Sequence, residues 1–249
     1  MSEWIAGIAA WFAGHQARFI YNFIEKDRWR YLADGVASTL KITFLACLIG
    51  IAIGMVIAII RITHDNNIET MRRRSPGRLL LKLANGLCKV YLTVIRGTPV
   101  VVQLLIMAFV IFTAQDKLLT AIITFGINSG AYVAEIIRSG IMSIDRGQFE
   151  AGRSLGFNYI QTMRYIILPQ ALKNVLPALA NEFIVLLKET SVAGYIAVGE
   201  LTRGGQKLIS NTYDAMYAYF AVAAVYLTLV LFFTWLVGKL ERRLRNSDH

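Results

Sequence analysis

Residues 145–169 read DRGQFEAGRSLGFNYIQTMRYIILP, a polar, glycine-punctuated stretch set between two long apolar blocks. Asp145 can cap a helix, with Gln148 at the third helical position reaching back in the manner of a capping box. Gly156 falls where so short a helix ends in a left-handed turn, a conformation glycine adopts without steric penalty. Asn158 and Gln161 repeat the cap-and-return spacing and start a second helix, which Pro169 limits. The stretch therefore predicts a bent pair of amphipathic helices held between two membrane spans as a stiff protrusion, the loop 145–169.

Outward from this loop the chain alternates apolar spans with charged connections. A bilayer core takes about 20 apolar residues of helix to cross. Five stretches meet that description, at about 39–60, 90–112, 118–137, 170–187 and 215–238. The first contains Gly50 and Gly54, a small-xxx-small spacing that lets helices approach closely in lipid. The second is interrupted by Arg96-Gly97-Thr98-Pro99, where the missing proline donor must kink or restart the helix. That motif reads as a structural break and not as a ligand site. Residues 1–30 place Trp4, Ile8, Trp11, Phe12, Phe19 and Phe23 at near-helical spacing among polar residues, as in an amphipathic helix lying at the interface. The expected architecture is an all-α integral membrane protein, with an interfacial segment at 1–30 and a transmembrane domain of five helices at 31–249.

Composition agrees with that class. Of the 249 residues 56% are hydrophobic and 17% charged, with a mean hydropathy of +0.52, whereas soluble domains run at about 45–50% apolar and about 25% charged. The net charge of +10 does not point to nucleic acid, because the cations lie between the spans. Segments 61–96, 138–173 and 239–249 hold eight, five and four Lys or Arg, 17 of the 26, and with five spans these segments share a side. The positive-inside rule then puts the carboxyl terminus in the cytoplasm and the amino terminus outside. Arg72-Arg73-Arg74 reads as a contact with anionic lipid headgroups. Cys47, Cys88 and the three scattered histidines form neither a metal-ligand nor a disulfide pattern.

Ionisable side chains inside spans are functional candidates by default. Glu182 and Asn181, with Asn174 and Glu189 one heptad away on either side and Pro177 as an expected kink, put a polar face on the fourth span. Glu135 follows Tyr132 by three positions and Asn128 by seven. The Glu135 carboxylate could meet the ammonium of an amino acid or a cationic side chain, and Glu182 could line the route. Glu135 could equally pair with Arg138, and Glu182 could hold helices or a partner chain together. Lys188 and Glu189 read as an interfacial ion pair.

The loop residues Glu150-Ala151-Gly152, three residues, Gly156, nine residues, Ile166, one residue, Leu168-Pro169 resemble the EAA loop of ABC importer permeases. Gly152 stands where the pattern usually has alanine, at about 1 kcal/mol of helix propensity. The segments 35–40, 96–99 with Gln103, 132–136 and 187–191 are similar to the polar amino acid branch, which includes histidine, arginine, lysine and glutamine importers. The likeness covers the chain from about residue 34. The resemblance implies a type I importer permease whose Glu150, Ala151 and Gly156 face a cytoplasmic ATPase and whose Leu168-Pro169 anchors the loop. It further implies two ATPase chains, a second permease chain (identical or related), an extracytoplasmic binding protein and a bacterial cytoplasmic membrane. No Gly-x-x-x-x-Gly-Lys-Ser/Thr stretch exists in the sequence, so ATP and Mg are expected on the ATPase, with no cofactor and no catalytic residue in this chain. Two other readings remain open at this level: a permease for another small solute (an osmolyte, methionine or an oxyanion), and a proton-coupled carrier or channel using Glu135 and Glu182. A membrane enzyme finds no nucleophile–base pair within the spans.

Overall fold

Long uncharged stretches satisfy their backbone groups internally by becoming long helices. The structure, a computed structural model, describes residues 2–67 and 75–245, which are helical with short connections and contain no strand. The Arg72-Arg73-Arg74 run lies outside the described residues.

Helix α1 (Ser2–Phe19) is followed by a widened turn and a break in which Lys26 and Asp27 both adopt φ of 54°. It keeps Trp4, Trp11, Phe12 and Phe19 exposed, and His15 Nδ1 is hydrogen-bonded to the Tyr217 hydroxyl. Helix α2 (Trp29–Asn67) has 39 residues, a length of about 58 Å at 1.5 Å per residue. That exceeds a hydrocarbon core of about 30 Å, so α2 projects beyond its apolar stretch. Then come α3 (Pro76–Gly97), α4 (Val100–Ile106) with its continuation Met107–Ile111, α5 (Lys117–Met142), α6 (Arg146–Ser154), α7 (Tyr159–Thr162), α8 (Leu168–Glu189), α9 (Leu201–Thr212) and α10 (Ala215–Arg245).

The centre of the bundle is the α2–α5 pair, and glycines on both helices set its closeness. A Cβ on Gly54 would stand 2.5 Å from Val133 Cγ1, and one on Gly126 would stand 2.6 Å from Ile49 Cγ2. Gly50 faces Ser129 and Gly130 faces Ile53 in the same reciprocal way. The small-xxx-small spacing of α2 is thus matched by a second one on α5. Around this seam Ile42, Ala46, Leu104, Ala121, Phe125 and Leu186 form the largest buried apolar cluster.

The break expected at Arg96–Pro99 is present, and length and composition alone count fewer spans than five. Among the described residues three helices, α2, α5 and α10, are long and apolar enough to cross a membrane. The stretch 90–112, expected as one interrupted span, belongs to two helices that meet at 106°. Thr98 and Pro99 are both extended, with ψ of 143° and 137°, which is what a proline imposes on itself and its predecessor. Counting that bent pair as one span raises the number to four. Helix α8 has the length to cross at 22 residues, but Lys173, Glu182, Lys188 and Glu189 make it polar for a lipid-facing helix.

The end of the bundle opposite α6 and α7 holds an element that hydrophobic periodicity did not indicate. Helix α9 packs between the first turns of α2 and α10, and Glu200 caps it, accepting from the amides of Thr202 (2.7 Å) and Arg203 (2.8 Å). Glu200 is fully buried and also accepts from the Tyr226 hydroxyl at 3.2 Å. The contact between Gly35 and the Leu201 backbone, where a Cβ would come within 2.7 Å of Leu201 Cα, locks α9 against α2.

Candidate coupling knob and polar face

The loop between α5 and α8 folds as the pair of short helices its caps require. Asp145 Oδ1 accepts from the Gly147 amide at 2.6 Å. The reciprocal arm expected from Gln148 is absent: its Oε1 accepts instead from Gln170 Nε2 at 3.2 Å, tying α6 to α8. Gln148 is half-buried on the α8 side of α6, so its side chain is directed away from the cap. At the other end of α6, Gly156 has φ of 79°. The Gly156 amide donates to Arg153 O (2.9 Å) and the Phe157 amide to Gly152 O (3.0 Å), the pair of bonds of a Schellman motif. Asn158 and Gln161 then form the expected capping box, each accepting from the other's amide at 2.9 Å.

Pro169 does not end the second helix. The chain passes from α7 through a π turn at Met163–Ile167 directly into α8, with Pro169 in the first turn of that helix. The wider turn takes up the missing donor: the Leu168 amide bonds back to Met163 O. The knob is therefore a helical continuation of α8 braced by α6. Ile167 is fully buried against Ala58, Ile62, Ile141 and Ala171, which fixes the root of the knob to α2 and α5. A further contact comes from the last turn of α2, where Asn66 Nδ2 donates to the Tyr159 hydroxyl at 3.0 Å.

The seven loop residues singled out in the sequence divide by direction. Glu150, Ala151 and Gly156 are exposed. Gly152 is buried, and a Cβ there would meet Thr162 Cγ2 at 2.6 Å and Oγ1 at 2.7 Å, with Ile166 Cδ1 at 3.2 Å. Gly152 and Ile166 thus belong to the contact between the two short helices. Leu168 and Pro169 sit, exposed, at the root.

The five polar positions expected along the spans do not converge within this chain. Asn128 is buried on α5 and donates from Nδ2 to Gln103 Oε1 at 3.0 Å. Gln103 Nε2 reaches Ile95 O (2.7 Å), Thr98 O (3.1 Å) and Thr98 Oγ1 (2.8 Å). One glutamine therefore serves carbonyls that the Pro99 break leaves without helical donors. Tyr132, one turn on from Asn128, lies under the Arg96 guanidinium at 5.6 Å. A largely apolar cavity of about 320 Å³ occupies the angle of the break, with Ile95, Thr98, Gln103 and Ile127 among its walls. Irregular backbone at membrane depth is tolerated where it is buried in protein or lines a cavity. Gln103 is not among the site residues expected from the sequence; its position four after a span-breaking proline is the signal that marks it.

Glu182 lies on another face, where its Oε1 accepts from the Ser129 hydroxyl at 2.9 Å. Asn181 is exposed. Glu135 is held in an ion-pair cluster, with Arg61 at 3.6 Å and Arg138 at 3.4 Å, and Arg138 reaches Asp65 at 4.0 Å. The Arg138 partner was foreseen as the alternative for Glu135; the Arg61 partner needed the α2–α5 register and was invisible in the sequence.

The Gln103 staple makes a direct prediction. A Gln103→Leu substitution leaves the partly buried Ile95 carbonyl and Asn128 without partners, at about 1–3 kcal/mol for each buried unsatisfied group. The purified variant is expected to melt well below wild type and to lose uptake, whereas Gln103→Glu, which keeps the acceptor for Asn128 but cannot donate to the carbonyls, is expected to fall between the two. Unchanged melting in both would remove the staple from the account.

A helical membrane bundle with a braced protrusion at one end and polar side chains within its spans has the features of a membrane transport subunit. Residues 77–246 match the family model described as the binding-protein-dependent transport system inner membrane component, and the chain belongs to that family. It is 42% identical over 168 residues to the glutamine transport system permease protein GlnP of Escherichia coli (strain K12), covering 66% of this chain and 77% of that one. To the arginine transport system permease protein ArtQ of Bacillus subtilis (strain 168) it is 34% identical over 222 residues, 88% of this chain and 94% of that one. The solved structure of an amino acid ABC transporter with histidines superposes with a TM-score of 0.76 at 40% identity, over 86% of this chain and 94% of that chain. The MetNI methionine ABC transporter in an inward-facing conformation shares the fold, with a TM-score of 0.72 at 21% identity over 88% and 99% of the two chains.

Proposed function

We propose that this chain forms the translocation pathway of an ATP-driven importer of polar amino acids and is worked by a separate ATPase docked on the α6–α7 knob. The observation that carries this reading is mechanical. The knob presents Glu150, Ala151 and Gly156 outward while its second helix runs without interruption into α8. A push on the outer face is therefore delivered to the helix that carries Asn181 and Glu182. The names of the relatives at 42% and 34% identity, glutamine and arginine permeases, support the substrate class.

In this mechanism ATP closes the partner ATPases, the knobs follow, and the spans shift between inward-open and outward-open states. The chain itself performs no catalysis; ATP and Mg are held by the ATPase pair. A second permease chain completes the pathway, and an extracytoplasmic binding protein delivers the amino acid. The knob end is cytoplasmic and the amino terminus outside, as the cation distribution expects. The polar break at Gln103 and Asn128 and the Glu182–Ser129 pair are the positions at which a polar substrate would find partners in an otherwise apolar bundle.

Glu150→Lys and Gly156→Asp test the docking role. Both positions are exposed, and Gly156 needs its left-handed φ of 79°, which aspartate tolerates less well. Transport and co-purification of the ATPase are expected to be lost in both variants while membrane insertion stays normal. Wild-type uptake in either would remove the loop from the mechanism. Transport without ATP, by vesicles containing this chain alone, would favour a proton-coupled carrier.

A further inference from the structure

Helix α3 divides lengthwise into three faces, each following a spacing of three and four residues. Cys88, Leu92 and Ile95 lie on the first, packed with Ile53, Ile57 and Ile60 of α2 and with Ala131 and Ala134 of α5. Leu80, Leu83, Leu87, Val90 and Val94 form the second, and each is between 53% and 72% exposed. Lys82, Gly86, Lys89, Thr93 and Arg96 form the third, and all five are exposed. The 22 residues of the helix include no acid. Arg96, nearest the break, lies over the Tyr132 ring. Lys82 and Lys89, further from it, have no side-chain partner among the described residues.

An exposed apolar face beside an exposed cationic face requires surroundings that are apolar and anionic at once. Water satisfies the lysines and leaves the leucines uncovered. Hydrocarbon alone covers the leucines and rejects the lysines. A protein surface packed on the apolar face leaves the cationic face without counter-charge. A leaflet with anionic headgroups supplies both, as it does for a basic amphipathic helix lying in the membrane interface. The lysine stems then run along the apolar surface and place their ammonium groups among phosphates. Position agrees with this. The buried face of α3 touches the halves of α2 and α5 nearer the knob, and α3 meets α4 at 106° instead of continuing its direction. The last turn of α3 also leads directly into the Pro99 break, where Gln103 Nε2 holds Ile95 O at 2.7 Å. Whatever fixes α3 therefore fixes the break.

We propose that α3 lies in the interface of the cytoplasmic leaflet and that Lys82 and Lys89 bind anionic phospholipid headgroups there, with Leu83 and Leu87 against the acyl chains. Lipid bound in this way holds the Pro99 break in the arrangement that transports. The proposal rests on the reading that the knob end is cytoplasmic. It gives Lys82 and Lys89 a role separate from ATPase docking and from the polar positions in the spans.

The test reconstitutes the full permease–ATPase complex with its binding protein in phosphatidylcholine vesicles carrying increasing fractions of phosphatidylglycerol. Uptake and ATP hydrolysis are expected to rise several-fold with the anionic fraction. Inorganic phosphate added to phosphatidylcholine vesicles is expected not to replace it. Lys82→Gln combined with Lys89→Gln is expected to move the half-maximal fraction upward, each lysine at an anionic surface contributing a factor of about five. Arg242→Gln combined with Arg243→Gln removes the same charge from the exposed end of α10 and is expected to leave that fraction unchanged. A bimane label on Leu87→Cys, read against labelled wild type as the background from Cys47 and Cys88, is expected to be quenched by brominated acyl chains. Uptake indifferent to the anionic fraction, restored by phosphate, or shifted equally by both pairs overturns the proposal. So does a label beyond reach of the lipid quencher, which would put a second permease chain over α3. The transport reading survives each of these results. A complex that imports no amino acid in any lipid sinks the transport reading, and the hydrolysis response and the quenching still decide the place of α3.

Discussion

A Gly54→Val substitution is expected to leave little correctly assembled protein, because it drives α2 away from α5 at the centre of the bundle. The Cβ alone would stand 2.5 Å from Val133 Cγ1, 2.7 Å from Val133 Cβ and 2.8 Å from the Ala134 amide nitrogen. The first two atoms belong to a β-branched side chain with one strongly preferred rotamer in a helix, and the third is backbone. Nothing local can rotate out of the way. The helices must separate, and with them go the reciprocal contacts of Gly50 with Ser129, Gly126 with Ile49 and Gly130 with Ile53. Overpacking of this kind costs about 1–3 kcal/mol where a core can adjust, and a seam built on four glycines adjusts poorly. At the upper end of that range the melting temperature falls by about 10 °C. The matched comparison is Gly86→Val on α3, where a Cβ meets nothing within 4 Å. Both changes bear the same propensity difference, so the contrast in detergent size-exclusion profile and melting isolates packing. Equal behaviour of the two variants would show that the α2–α5 seam is not close-packed.

That seam also marks where the sequence could be read and where it could not. Gly50 and Gly54 announce a close approach, but which helix comes close depends on the register of α5, and a one-dimensional pattern carries no register. The same limit hid Arg61 as a partner of Glu135 and Ser129 as a partner of Glu182, since each pair is far apart in sequence. The knob was legible because its determinants are local: Asp145, Gly156 and the Asn158–Gln161 box all act within six residues. Gln148 was misread for the opposite reason. Its spacing fitted a capping box, but a glutamine on the α8 side of α6 finds Gln170 and satisfies that long-range partner instead.

Pro99 and Pro169 show how context decides the effect of one residue type. Pro99 follows a helix and precedes another, so the restriction on Thr98 turns the chain through 106°. Pro169 sits in a first turn where its missing donor is not needed, and a π turn upstream takes up the rest. Sequence alone gives both the same meaning, a break. Helix α9 escaped notice because it is short and polar on one side, and its start is marked by Glu200, a long side chain seldom chosen as a cap. Burial beside Tyr226 is what holds that carboxylate over the amides of Thr202 and Arg203.

Gly152→Val is expected to abolish uptake while the protein still inserts and remains folded in its spans. In the sequence this glycine looks like a weakness, a departure from alanine at about 1 kcal/mol of helix propensity. The structure gives it a purpose: α6 lies so close to α7 that a Cβ would stand 2.6 Å from Thr162 Cγ2 and 2.7 Å from Thr162 Oγ1. Thr162 cannot yield by rotation, because it is buried and its hydroxyl is committed to Asn158 O at 3.0 Å. Valine therefore levers α6 off α7, tilts Glu150 and Ala151 out of position and breaks the path by which, in the proposed mechanism, the knob would move α8. The expected signature is ATPase that no longer co-purifies with the permease, or that hydrolyses ATP without import, rather than a loss of the bundle. Gly152→Ala sets the propensity gain against the clash, and removal of both offending atoms decides between them: Gly152→Ala with Thr162→Ala should transport better than Gly152→Ala alone. If the double variant is no better, the clash is not what limits the single one, and the close contact between the two short helices is not what makes the knob stiff.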